Sequence, residues 1–123
     1  QTERFDVPEI SEAQTLPRAL DGWDAARRLI YADETGDDAS APWGGDAGRA
    51  RPIAEALSEL TGSRPLALLI GPEGGFTIEE RRMLRGLPFV VPVSLGPRIL
   101  RAETAVIAAL SVIQALRGDW REA

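Results

Sequence analysis

Two short stretches combine glycine, proline and charge in ways that could hold a ligand. The first is Gly71-Pro-Glu-Gly-Gly75, set between an apolar run and a segment that reads as a capped helix. In parallel α/β sheets ligands bind at the carboxyl ends of strands, where glycine lets backbone approach a ligand and a helix N-terminus favours an acceptor. A tight turn needing positive φ explains the same glycines. Glu73 either caps the amides of Gly75, Phe76 or Thr77 or contacts a substrate, and both readings stay open. The second stretch, Ser94 to Ala105, also runs from a strand end into a helix. Gly96 and Pro97 force a sharp turn, and Arg98 and Arg101 flank the apolar pair Ile99 and Leu100. That pair either walls a pocket for a flat apolar ligand such as an adenine ring or plugs the core beneath the last helix. On the plain reading the arginines are solvated or pair with Glu103, which is worth little at a surface.

The rest of the composition narrows the chemistry. The 123 residues contain no His and no Cys, and every one of the 14 basic residues is Arg. Thiolate nucleophiles, thiolate metal sites, imidazole bases, Schiff bases and the P-loop lysine are therefore all missing. Neither a Walker A loop nor a GxGxxG fingerprint occurs. A reaction that relies on positioning and a competent cosubstrate suits Asp, Glu, Arg, Ser, Thr and backbone amides better than a triad or a metal does. The formal net charge of −5 repels polyanions, so any nucleic-acid contact must be local. With 44% hydrophobic residues the chain has enough apolar material for one core, and its length suits one domain over 1–123. No apolar run approaches the roughly 18 residues of a membrane span, and the first residues lack a signal peptide's apolar region, so a cytoplasmic protein is expected.

Strands alternating with helices must position the two loops. Leu16 to Trp23 reads as a short helix, with Thr15 at its N-cap and Pro17 at its start. Arg27 to Asp33 reads as a buried strand, and Glu34 to Ala50 as a mobile acidic loop in which Trp43 is an anchor or a partner contact. Ile53, Ala56, Leu57 and Leu60 recur at helical spacing within Arg51 to Thr61, which Gly62 stops. Pro65 to Gly71 has the apolar continuity of a central parallel strand covered on both faces. Thr77 and Glu80 form a capping box that opens a helix through Arg85. Phe89 to Gly96 is a further strand, which Pro92 places at an edge or in an irregular ladder. A last helix spans Ala102 to Arg117, ended by Gly118. The expected fold is α/β, a mainly parallel sheet with helices on both faces. In the last helix Val106, Ala109, Leu110, Ile113 and Leu116 make one apolar face, while Ala105, Ala108, Val112 and Ala115 make the other side apolar too. Such a helix needs cover on both sides, by the sheet and by a second copy or a further segment of the chain.

Leu68 to Glu80 followed by Ser94 to Ala105 closely resembles the bacterial methyltransferases that modify N3 of a uridine in small-subunit ribosomal RNA, members of the trefoil-knotted SPOUT superfamily. Gln1, Arg4, Val7 and Pro8 look like that family's Q-x-x-R-x-x-V-P stretch. The resemblance covers essentially the whole chain. Family members begin with an RNA-binding β-barrel and the first strand and helix of the methyltransferase domain, so this sequence is expected to be the later part of a longer enzyme.

The resemblance implies S-adenosylmethionine as cofactor, no metal, and a knot that includes the chain from Leu95 onward. It assigns cofactor contacts to Leu69, Ile70, Gly71 and Gly75 in the first loop. Leu95, Gly96, Ile99, Leu100, Arg101, Thr104 and Ala105 are the contacts in the second. The two loops are expected at neighbouring strand tips. Gly96 after Ser94 and Leu95, where ribose methyltransferases of the superfamily place Asn, favours base methylation. Uridine N3 must lose a proton, so Arg101 and Arg98 are the candidates for stabilising the anion, and Glu73 or Glu103 for taking the proton. Arg4 and Arg98 are the candidate RNA contacts. The implied partners are small-subunit ribosomal RNA, within the assembled subunit, and a second copy through the last helix. A non-catalytic cofactor-binding or dimerisation module, and the same fold acting on transfer RNA, are the alternatives.

Overall fold

A computed structural model describes residues 6–34, 49–73 and 75–122. Strand β1 (Arg28–Ala32) follows the short helix α1 (Leu16–Leu20). Next come β2 (Arg51–Pro52), α2 (Ile53–Ser58), β3 (Leu66–Leu69), α3 (Ile78–Arg85), β4 (Val90–Ser94) and α4 (Ala102–Arg117), with a 3-10 turn over Asp119–Arg121. The strands form one parallel sheet in the order β2-β4-β1-β3.

Alternation along β1 sorts the helices onto opposite faces, as the two-residue repeat of a strand requires. Ile30 points into a cluster with Ile53, Ala56 and Leu57 of α2, Val93, and Ala109 and Ile113 of α4. Leu29 and Tyr31 point the other way, to Leu84 of α3 with Leu16, Leu20, Met83 and Phe76 around them. The expected α/β sheet with helices on both faces is what forms.

Three local expectations change. Leu66–Leu69 is apolar enough to be covered on both faces, and it is, but it lies at the edge of the sheet among the described residues; β1 and β4 are the inner strands. Pro92 sits on an inner strand. The Val93 carbonyl accepts from the N–H of Asp33, just past β1, so by alternation Pro92 turns its nitrogen to the other side, where β2 pairs only with Val93 and Ser94. Its missing donor therefore interrupts no ladder bond. Arg51 and Pro52, expected within a helix, instead pair with β4, so α2 starts at Ile53.

The first helix stops at Leu20, because Asp21 is already extended and Gly22 follows at φ 70°. Trp23 then stacks on Phe89 at 5.6 Å and donates from its indole to the Arg27 carbonyl at 2.8 Å. Helix α4 has the expected bounds, but its core stripe is Ala105, Ala109, Val112 and Ile113, drawn from both of the faces expected. Two alanines in that stripe let α4 approach α2, while Ile107, Leu110 and Leu116 point outward.

Candidate functional site

The carboxyl ends of β3, β1 and β4 carry the site. The two loops do not leave neighbouring strands: β1 lies between them, and its tip, Asp33 and Glu34, forms the middle of the site. Two strand spacings separate the loops, about 10 Å, which an adenosyl group can bridge.

The first loop is shaped by its own contacts. Gly75 has φ 76° and donates to the Pro72 carbonyl at 2.9 Å, closing a turn. Phe76 folds back over Gly71 and meets the Tyr31 ring edge-on, with centroids 4.9 Å apart. The capping box then starts α3: Thr77 Oγ1 accepts from Glu80 N–H at 3.1 Å, and Glu80 Oε1 accepts from Thr77 N–H at 2.9 Å.

A buried ion cluster fixes α3 to the strand tip. Arg81 Nε donates to Asp33 Oδ1 and Oδ2 at 3.1 and 3.2 Å, and Arg85 Nη2 and Nε donate to Oδ2 at 2.6 and 3.0 Å. The Asp33 side chain is wholly buried. Its backbone N–H donates to the Val93 carbonyl at 3.0 Å, so Asp33 also links β1 to the strand that feeds the second loop. Tyr31 lies two residues earlier on the same face. Its buried hydroxyl has no partner of good hydrogen-bond geometry, and burial, with the Asp33 carboxylate adding repulsion, pushes its acidity well below that of an ordinary phenol.

The second loop turns at Gly96, with φ 110°, and Gly96 N–H donates to Ser94 Oγ at 3.2 Å. Nothing lies within 4 Å of where its Cβ would be, so the backbone conformation, not crowding, demands glycine. Arg101 is the N-cap of α4, and no side chain caps this helix.

These loops border two narrow cavities. One, of about 20 Å³, is lined by Asp33, Glu34, Arg49 and Ala50 on one side and by Ser94 through Leu100 on the other. The second, of about 10 Å³, is lined by Ala32, Glu34, Gly71, Pro72, Gly75 and Phe76. Of the residues singled out in the sequence, Leu95, Gly96, Arg98, Ile99 and Leu100 come together in the first, and Gly71 and Gly75 in the second. Leu69 and Ile70 pack into the two core clusters, and Ala105 is fully buried on the inner side of α4. Glu73, Arg101, Glu103 and Thr104 are exposed and line neither cavity. Arg4 and Trp43 lie outside the described residues. Asp33, Glu34, Arg81 and Arg85 carry no motif, and only their place at the end of an apolar run could have drawn attention to the first two.

Glycine backbone open to a cavity, apolar walls at Leu95, Ile99 and Leu100, and carboxylates at the strand tip suit a nucleoside-like ligand. Among the described residues no group of His, Asp or Glu could hold a metal ion, and no helix is long and apolar enough to cross a membrane.

Parallel α/β topology with ligand loops at the strand tips defines a nucleotide-type binding domain. The chain matches the RNA methyltransferase domain family over residues 1–114, and it belongs to that family. It is 32% identical over 122 residues to the ribosomal RNA small subunit methyltransferase E of Rickettsia conorii, covering 99% of this chain and 44% of that protein. The Bacillus subtilis protein of the same name is 31% identical, with 97% and 44% covered. A methyltransferase of Legionella pneumophila, solved with S-adenosylmethionine bound, superposes with a TM-score of 0.56 at 32% identity over 91% of this chain and 39% of that one. The Neisseria gonorrhoeae ribosomal RNA small subunit methyltransferase E, also bound to S-adenosylmethionine, gives a TM-score of 0.53 at 30% identity, covering 84% and 36%. The chain thus spans less than half the length of these relatives.

Proposed function

We propose that this chain is the cofactor-binding part of an S-adenosylmethionine-dependent methyltransferase acting on N3 of a uridine in small-subunit ribosomal RNA. The observation that carries the reading is the convergence of the GPEGG and SLGPRIL loops on one strand tip, where each borders a cavity. The residues fit the cofactor: Leu95, Ile99 and Leu100 offer an apolar slot for adenine, and Gly71, Gly75 and Gly96, having no side chain, let a ligand come close to the backbone. When bound, the cofactor supplies a methyl group on a sulfonium, an electrophile that needs no metal.

In the reaction the N3–CH3 bond forms as the S–CH3 bond breaks, S-adenosylhomocysteine departs, and the N3 proton goes to a base. Arg98, which lines the larger cavity, and Arg101, three residues further along the loop, carry the charge that stabilises a uracil anion. Arg98 also serves RNA together with Arg4. Glu73 and Glu103 are exposed near the loop ends, where either can take the proton or orient an arginine. Assembled small subunits are the substrate, and a homodimer through α4 is the working form.

Single-turnover methylation of unmethylated small subunits by the Arg101→Ala protein tests the assignment. The expected rate loss is about a hundredfold, with cofactor affinity changed far less. Equal losses in both would remove Arg101 from the chemistry. Mass mapping of nucleosides from the same subunits checks the target atom; methyl groups found only on transfer RNA would overturn the substrate. A melting temperature unmoved by saturating S-adenosylmethionine would overturn the cofactor reading, since a ligand of the native state raises it by mass action.

A further inference from the structure

Glu34 lines both cavities, and it is the only one of the described residues to do so. It stands at the tip of β1, between the strands that feed the two loops, so a ligand that touches both loops passes its side chain. Its neighbour Asp33 is committed to Arg81 and Arg85. The Glu34 carboxylate has no such commitment: no ion pair or hydrogen bond to it occurs among the described residues. Among the described residues that line the smaller cavity, Ala32, Glu34, Gly71, Pro72, Gly75 and Phe76, Glu34 alone is charged. A half-buried carboxylate strengthens any contact with a cation, because less water screens it than at the open surface.

We propose that Glu34 is a ligand-contacting residue that takes a cationic group of the bound cofactor, and that Asp33 is the positioning residue that presents it. This rests on the cofactor reading above. S-adenosylmethionine carries two cations, its sulfonium and its α-ammonium, and either supplies the chemistry Glu34 recognises. Asp33 acts through geometry. Clamped by two guanidiniums and bonded through its N–H to Val93, it fixes the backbone at the strand tip from which Glu34 lines both cavities.

Calorimetric titration of the unaltered chain and of Glu34→Gln and Glu34→Asp tests this, with S-adenosylmethionine, S-adenosylhomocysteine and 5′-methylthioadenosine as probes. The last keeps the adenosyl thioether and has neither cation. Glu34→Gln should weaken S-adenosylmethionine binding about tenfold or more, leave 5′-methylthioadenosine unchanged, and keep the melting temperature of the unliganded protein. Glu34→Asp should recover part of the loss, which a merely structural role would not produce. An equal loss for S-adenosylhomocysteine supports the proposal with the ammonium as the group held, and a smaller one supports it with the sulfonium. Equal weakening of all three ligands, or none, would overturn it while leaving the cofactor reading intact. Failure of the unaltered chain to bind any of the three would overturn that reading and Glu34's role with it.

Discussion

The Phe76 ring lies so close over Gly71 that a Cβ on Gly71 would come within 2.5 Å of its Cε2. The ring cannot simply swing aside, because its other contact is the edge-on packing against Tyr31. Gly71→Ala therefore pushes Phe76 off Tyr31 and reshapes the first loop. The expected result is a loss of about 1–3 kcal/mol in urea unfolding, from overpacking, and a larger proportional loss in cofactor affinity. Gly71→Ala combined with Phe76→Leu should regain stability, because the smaller side chain leaves room for the methyl. A single variant as stable as the unaltered chain would show that the ring is not a barrier.

The Asp33 cluster gives a second prediction. Asp33→Ala leaves two guanidiniums without their shared carboxylate in a site where the Arg85 side chain is only 3% exposed. The expected cost is about 3–5 kcal/mol in denaturant unfolding. Arg81→Met should cost less, because Asp33 keeps both donors of Arg85 and the methionine fills the apolar volume. Similar costs for the two variants would mean that Arg81, not Asp33, is the centre of the cluster.

Tyr31 is the only tyrosine, so its ionisation can be followed directly by phenolate absorbance. Burial raises its folded-state pKa above the unfolded value near 10. Below about pH 10 both states keep the proton and stability is constant; above it the unfolded chain ionises first and stability falls as pH rises. Tyr31→Phe should remove this alkaline loss, and should be neutral or stabilising at pH 7 because the hydroxyl it deletes has no well-formed hydrogen bond. Phenolate absorbance appearing in the folded protein at its ordinary pH would contradict the burial argument.

What the sequence made legible was local. The Thr77–Glu80 capping box spans one turn, and the apolar runs at Leu29–Ala32 and Leu66–Leu69 are bounded by turn residues, so each could be read from neighbours alone. Strand order could not, because β1 and β3 have similar composition and only long-range pairing decides which is inner. The Asp33 cluster joins residues 48 and 52 apart, and no local spacing announces it. Within the site, the glycines and the apolar pair Ile99 and Leu100 marked the loops. Glu34 went unmarked because its importance comes from the strand tip lying between those loops.

The outer side of α4 gives the last prediction. Ile107 and Leu110 are 68% and 46% exposed, and one turn apart they leave an apolar patch on the side of α4 away from the stripe buried on α2 and the sheet. A second copy placing the same patch against this one would remove it from water in a symmetric contact. Ile107→Glu together with Leu110→Glu puts like charges face to face across such an interface, at positions that contribute little to the monomer's core. Light scattering should then report a dimer for the unaltered chain and a monomer for the variant, with the same helical circular dichroism in both. A monomeric unaltered chain over the accessible concentration range, or a variant that remains a dimer, would show that α4 does not pair with its own copy.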